Sequence, residues 1–243
     1  TSGIPKKPAA GRKGATAGNR LCPGGDHAGG RVGGQKIEII TMDDKFEPPL
    51  AAENARELIE KKNVVALFLN RGTPHTEAIL PLLEKHRVPL VAPSTGAMVL
   101  HQPVKKYVFN VRATYQREAE KALVHQASIG MTKIAVIYAD DSFGEDGLAG
   151  AQKGLQKAKL EAVGIHKFNR TKPDFSAIVP EVVKSGAQSV LLVASGSHAV
   201  AAIKALRAAG SAAQFVTLSN NATAGFVASL EGNARGVIVS QVF

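Results

Sequence analysis

The sequence predicts an α/β protein with doubly wound parallel sheets arranged in two blocks. Three observations carry this: short apolar runs alternate with helical-period segments from residue 35 onward, polar clusters follow the runs directly, and the alternation recurs in two blocks separated near residues 110–114. At 243 residues the chain is long enough for two compact bodies.

Residues 36–41 (KIEIIT) alternate as a strand, and 48–62 have helical spacing with proline at the start. Strand 64–69, helix 74–86, strand 88–92 and strand 107–111 complete the first block. The second runs through helix 116–129, strand 133–138, helix 144–158, strand 161–168, helix 175–185 and strand 188–194. It ends with helix 198–209, strand 214–217, a short helix 223–229 and strand 236–242. The expected organisation is thus an atypical N-terminal segment 1–34, a partial lobe 1 over 35–112, lobe 2 over 113–236 and a crossover strand 237–243. Residues 1–34 are rich in Gly, Lys, Arg and Pro without an apolar period, which predicts disorder or poor packing.

The formal net charge of +10 is concentrated at the start. Residues 1–36 hold seven basic residues against Asp26 alone. The remaining Lys and Arg are interleaved with acids, aromatics are 5% of the chain, and Trp is absent, which argues against a nucleic-acid partner. The single cysteine, Cys22, excludes an intrachain disulfide and a cysteine metal cage. The glycines at 29–34 precede a strand, whereas a dinucleotide fingerprint follows one. Walker, GxSxG and HExxH patterns are missing, and the seven histidines lack ligand spacing, so no cofactor, metal or catalytic residue is expected. His75 reads as a helix-start residue.

In an open parallel sheet, ligands bind at the carboxyl ends of strands. Gly72-Thr73-Pro74-His75-Thr76 follows one apolar run and Pro93-Ser94-Thr95-Gly96 the next. Both lead toward helix starts, where orphan N–H groups and the dipole favour an anion. Thr73 could equally be an N-cap before Pro74.

Several segments in order resemble a known family: Asp43-Asp44, ELIEKKNVVALF, GTPHT, LLEKHRVPLVAPSTGA, YVFNVRATY, KIAVIYADDSFGEDGL and RGVIVSQV. They look like type I periplasmic substrate-binding proteins of ABC transporters, in particular the branched-chain amino-acid (Leu/Ile/Val) receptors. The resemblance covers about residues 29–243. It implies two Rossmann-like lobes with parallel sheets, joined by three crossover strands with ligand trapped between them, a chain truncated at its C-terminus, and a missing first strand in lobe 1. By the same resemblance Thr73, Ser94, Thr95 and Gly96 bind the ligand's carboxylate, Gly96 by letting backbone approach closely. Phe143 matches a closing aromatic, or is a core residue; Ser195, Gly196 and Ser219 occupy the other strand ends; Tyr115 faces the cleft or packs on the surface. Amino-acid receptors of this kind place an acid near Ser219 and an aromatic near Ser195. With serine at both, Asp140 or Asp141 would have to pair with an ammonium, or the ligand lacks one. The implied function is capture of a small organic anion or amino-acid-like solute for a membrane ABC permease. The implied protein is extracytoplasmic, non-catalytic, and a monomer or weak dimer. The alternatives are a cytosolic ligand-sensing regulator on the same fold and an α/β enzyme using the same strand-end pocket.

Overall fold

The computed structural model describes residues 2–5, 31–32 and 35–242. The chain divides into two compact units: Thr1–Ser94 with Lys105–Val111, and Thr95–Val104 with Arg112–Phe243. The stretch 95–104, expected within lobe 1, therefore belongs to unit 2, and so does the strand expected to be a crossover at 237–243.

Unit 1 holds a five-stranded sheet in the order β4-β1-β5-β6-β7. Its strands are β1 (Ser2–Pro5), β4 (Ile40–Thr41), β5 (Val64–Phe68), β6 (Leu90–Val91) and β7 (Val108–Phe109). β5, β6 and β7 are parallel. β1 is antiparallel to both β4 and β5. A strand thus lies at 2–5, inside a stretch predicted to pack poorly, and pairs along β5 in a lobe whose first strand was expected to be missing. The rest of 1–34 lies outside the described residues, except that β2 (Arg31–Val32) pairs with β3 (Gln35–Lys36). That pairing takes Lys36 out of the predicted 36–41 strand. Helices α1 (Pro48–Glu60) and α2 (Thr73–His86) bury Ala55, Leu58, Ile79 and Leu83 against Leu67 and Leu90 in the unit's own core.

Unit 2 holds a fully parallel sheet in the order β12-β11-β10-β8-β9. β8 (Ile134–Ala139) and β10 (Ser189–Val193) are buried at every position, which explains their continuous apolar sequence: helices cover both faces. β9 (Ala162–Phe168) lies at the edge, and its residues alternate in exposure. β11 (Gln214–Thr217) and β12 (Val237–Val239) complete the sheet. The helices are α3 (Tyr115–Ser128), α4 (Ser142–Ala158), α5 (Ile178–Lys184), α6 (Gly196–Ala208) and α7 (Ala224–Leu230). No helix among the described residues is long and apolar enough to cross a membrane.

α4 packs through a row of glycines that periodicity alone did not reveal. A Cβ at Gly144 would lie 1.7 Å from the Ala139 carbonyl oxygen, and one at Gly150 would lie 2.5 Å from the Gln116 backbone on α3. Gly147 faces Val193 and Gly154 faces Glu120 at similar range. Spacings of three and four put all four on one helix face, so α4 sits on β8, β10 and α3 at backbone distance.

Gly150→Ala should therefore lower stability by about 1–3 kcal/mol, because backbone cannot yield as a side chain does. Gly225→Ala in α7, where a Cβ meets nothing within 4 Å, should be neutral or stabilising by about 0.5–1 kcal/mol. Denaturant midpoints compare the two. Equal effects would mean that the glycine row is not a packing constraint.

Candidate functional site

In unit 1 the first predicted cluster and Pro93-Ser94 of the second lie at the carboxyl ends of β5 and β6. The fully buried Asn70 joins them: its carbonyl accepts the Ser94 N–H at 2.7 Å, and its side-chain oxygen accepts the Thr76 hydroxyl at 2.6 Å. A parallel bridge from Arg71 to Ser94 extends the pairing past the strands. α2 starts at Thr73 after Gly72, whose φ of 92° suits glycine. Its N-cap residue, Gly72, has no side chain to cap the helix. Thr73 is the first helical residue and is only 1% exposed, whereas Ser94 is half-buried. His75 is buried against the Phe46 ring (centroids 4.4 Å apart), in keeping with a structural position.

Thr95 and Gly96 fall in unit 2. Gly96 is explained by chain-to-chain contact. Its carbonyl accepts the Tyr115 N–H at 2.8 Å, and a Cβ would lie 2.5 Å from the Ala113 carbonyl oxygen. The approach expected toward a ligand is thus made toward the protein's own backbone. Met98, three residues after Thr95, donates its N–H to Asp146, which also accepts from Gln116. Burial raises the Asp146 carboxyl above its ordinary range, against the lowering effect of those two donors.

Of the other predicted residues of unit 2, Ser219, Tyr115 and Phe143 fall in one connected series. Glu118 on α3 is buried and paired with Arg112 at 2.7 Å. Its carboxylate also accepts the Ser219 N–H (2.8 Å), the Ser219 hydroxyl (2.9 Å) and the Ser240 hydroxyl (2.7 Å). Arg112 in addition donates to the Ser219 hydroxyl oxygen. The Arg112 guanidinium lies 4.6 Å from the centre of the Tyr115 ring, and Tyr115 meets Phe143 edge-on at 5.0 Å. Arg170 stands over the other side of this contact, 5.5 Å from the Phe143 centroid, and pairs with Asp141. Asp141 caps α4 by accepting the N–H groups of Phe143 and Gly144.

Tyr115 and Phe143 are 3% and 5% exposed, so both are core members rather than surface or open cleft residues in this structure. Ser219 is engaged with Glu118. Ser195 precedes α6 without capping it; its hydroxyl contacts His198 Nδ1 at 2.8 Å. A Cβ at Gly196 would meet only Asn221, at 3.8 Å. Burial, and then the charge of Arg170, lower the His198 pKa, with Asp141 acting the other way.

Sequence reasoning missed Glu118, Arg170 and His198 as members of this region. Glu118 carried no signal, since Ser219 and Ser240 lie 101 and 122 residues away along the chain. No cluster of three or more metal-ligating side chains occurs among the described residues.

Glu118→Ala should destabilise unit 2 by about 3–5 kcal/mol, because it leaves Arg112 buried and unpaired. Adding Arg112→Met should recover much of that loss. Additive losses in the double-mutant cycle would contradict the pairing. Asp146 gives a pH signature. Its folded-state pKa is raised, so its contribution to stability is fully present below the ordinary carboxylate pKa and is lost as pH rises through the raised value. Asp146→Asn should flatten that part of the stability profile.

A family profile described as "Periplasmic binding protein" matches residues 25–243. The Leu/Ile/Val-binding protein homolog 6 of Brucella abortus is 25% identical over 165 residues, covering 67% of this chain and 42% of that protein. The solved extracellular ligand-binding receptor from Verminephrobacter eiseniae is 30% identical with a TM-score of 0.77, covering 89% of this chain and 62% of its own. A solute-binding protein of an ABC transporter from R. palustris, solved with benzoate, superposes with a TM-score of 0.80 at 21% identity, a likeness of fold. It covers 87% of this chain and 59% of its own. The chain thus spans well under two thirds of the length of these proteins.

Proposed function

Because the chain belongs to the family of periplasmic binding proteins, we propose that it captures a small organic anion or amino-acid-like solute and presents it to a membrane ABC permease. In this reading it works outside the cytoplasm as a monomer or weak dimer.

One observation carries the reading. At the sequence-predicted positions, a helix in each unit (α2 and α6) begins just beyond a parallel strand, and its N-cap residue's side chain does not cap it: Gly72 has none and that of Ser195 contacts His198. The start of a helix favours an anion. By contrast α4, the helix after β8, is closed by Asp141. In this reading the half-buried Ser94 adds a hydroxyl donor after the next strand, and the Gly196 position leaves room for a ligand atom. Such donors orient a carboxylate, while the apolar remainder of a solute needs a pocket that closes around it.

The enzyme alternative has one observation in its favour, the Ser195–His198 contact. A nucleophilic serine needs a base that is itself oriented by a third group. Among the described residues no carboxylate hydrogen-bonds His198, and Ser195 sits at a helix start. A binding role accounts for the pair more simply.

Ser94→Ala and Thr73→Ala should each weaken carboxylate binding by about 1–3 kcal/mol, the loss expected for a charge-assisted hydrogen bond. Calorimetry with the protein's best-binding carboxylate measures this, and unchanged affinity in both variants would remove these residues from the site. Bound solute should be recovered chemically unchanged after hours of incubation; multiple turnovers would establish the enzyme reading instead.

A further inference from the structure

We infer that two copies of this chain associate edge to edge through β9, in an antiparallel pairing whose two-fold axis passes beside Gly164. This goes beyond the solute-binding reading and does not rest on it.

Among the described residues β9 ends the unit 2 sheet, with β8 as its one neighbour. The Phe168 carbonyl accepts the Asp140 N–H, so by the alternation of a strand residues 168, 166 and 164 turn their backbone groups toward β8, while Ile165 and Lys167 turn theirs outward. An open edge of this kind is a template for another strand. The side chains alternate as well. On one face His166 pairs with Glu181 and Phe168 packs on Phe175. On the other, Val163 and Ile165 are 37% and 45% exposed. Two β-branched apolar side chains thus stand uncovered beside unpaired backbone.

Edges are commonly blunted by a lysine or a bulge, and β9 has both: Lys167, and a one-residue shift of its pairing with β8 between Ala162 and Gly164. The order of residues shows why neither closes this edge. Glu161-Ala162-Val163-Gly164-Ile165-His166-Lys167 is self-complementary. Laid antiparallel on itself about Gly164, it sets Val163 opposite Ile165 and Glu161 opposite Lys167, each twice by the two-fold. Apolar β-branched pairs and opposite charges are the cross-strand contacts that stabilise antiparallel strands. The two neighbouring registers lack this match, since one places Lys167 opposite Val163 and the other places Glu161 opposite Ile165. Lys167 is held in its own chain only by the exposed Asp140, at 3.3 Å, a surface pair that leaves it free to meet a second carboxylate. The shift beside Gly164 is compatible with the pairing. With the Gly164 N–H turned toward β8, the Val163 carbonyl on the other side of that planar peptide faces outward. There it accepts the Ile165 N–H of the second copy. Glycine at the axis puts no side chain between the strands.

Sedimentation velocity of the whole chain from about 1 to 200 μM measures the association, and should show a concentration-dependent dimer. E161K and K167E each set like charges opposite one another in a homodimer, so each alone should dimerise about tenfold more weakly. An equimolar mixture of the two variants again faces Lys with Glu on both sides of the axis, and should associate as the unaltered chain does. A merely structural effect of either substitution would persist in the mixture. Ile165→Lys should abolish the dimer while leaving the circular dichroism of the chain unchanged. A chain that stays monomeric over this range, a dimer that these variants do not weaken, or a mixture that fails to restore it would overturn the inference and leave the solute-binding reading standing.

Discussion

The buried carboxylate of Glu118 is the constraint on which unit 2 depends. A charge removed from water is tolerated only when paired and fully hydrogen-bonded, and here Arg112, Ser219 and Ser240 together meet that demand. These partners come from the residue that opens the main segment of unit 2, the turn after β11 and the chain just past β12. One side chain thus fixes three distant pieces of backbone. Through Arg112 the order extends to Tyr115, then Phe143, Arg170 and Asp141, so the strand-end region of unit 2 is preorganised by its own contacts.

Preorganisation of this kind suits a binder. A receptor gains affinity when its donors are held in place before the ligand arrives, because less conformational entropy is lost on binding. The sheet contributes rigidity: β8 and β10 are buried throughout, and the glycine face of α4 locks α3 and α4 together at backbone distance. What such a site selects then follows from which charges are already neutralised within it, since a fixed acid–base pair offers little to an incoming ion of either sign.

Much of the fold was legible because parallel sheets write themselves plainly. Continuous apolar runs such as those at 134–139 and 189–193 mark strands covered on both faces, and the helices between them show clear period. Legibility failed where structure depends on distant pairing. β6 is two residues long because only Leu90 and Val91 are in register with both neighbours, and β1 at Ser2–Pro5 is a strand because β4 and β5 pair with it, with no periodic signal of its own. The site was read in the same uneven way. Strand-end position, a local property of sequence, singled out Thr73, Ser94 and Ser195 as candidates. Glu118 could not be found, since its partners lie far along the chain, and Ser219 was read as a ligand contact when it in fact holds that carboxylate. Gly96 was identified for the correct physical reason, close backbone approach, but with a different neighbour.

The central claim is that this chain is a receptor for a small organic anion. Native mass spectrometry of the purified protein, followed by mass analysis of what denaturation releases, tests it most directly. The account predicts one small carboxylic acid per chain, chemically intact. A chain that carries nothing and takes up no carboxylate, or one that releases an altered product, would contradict it.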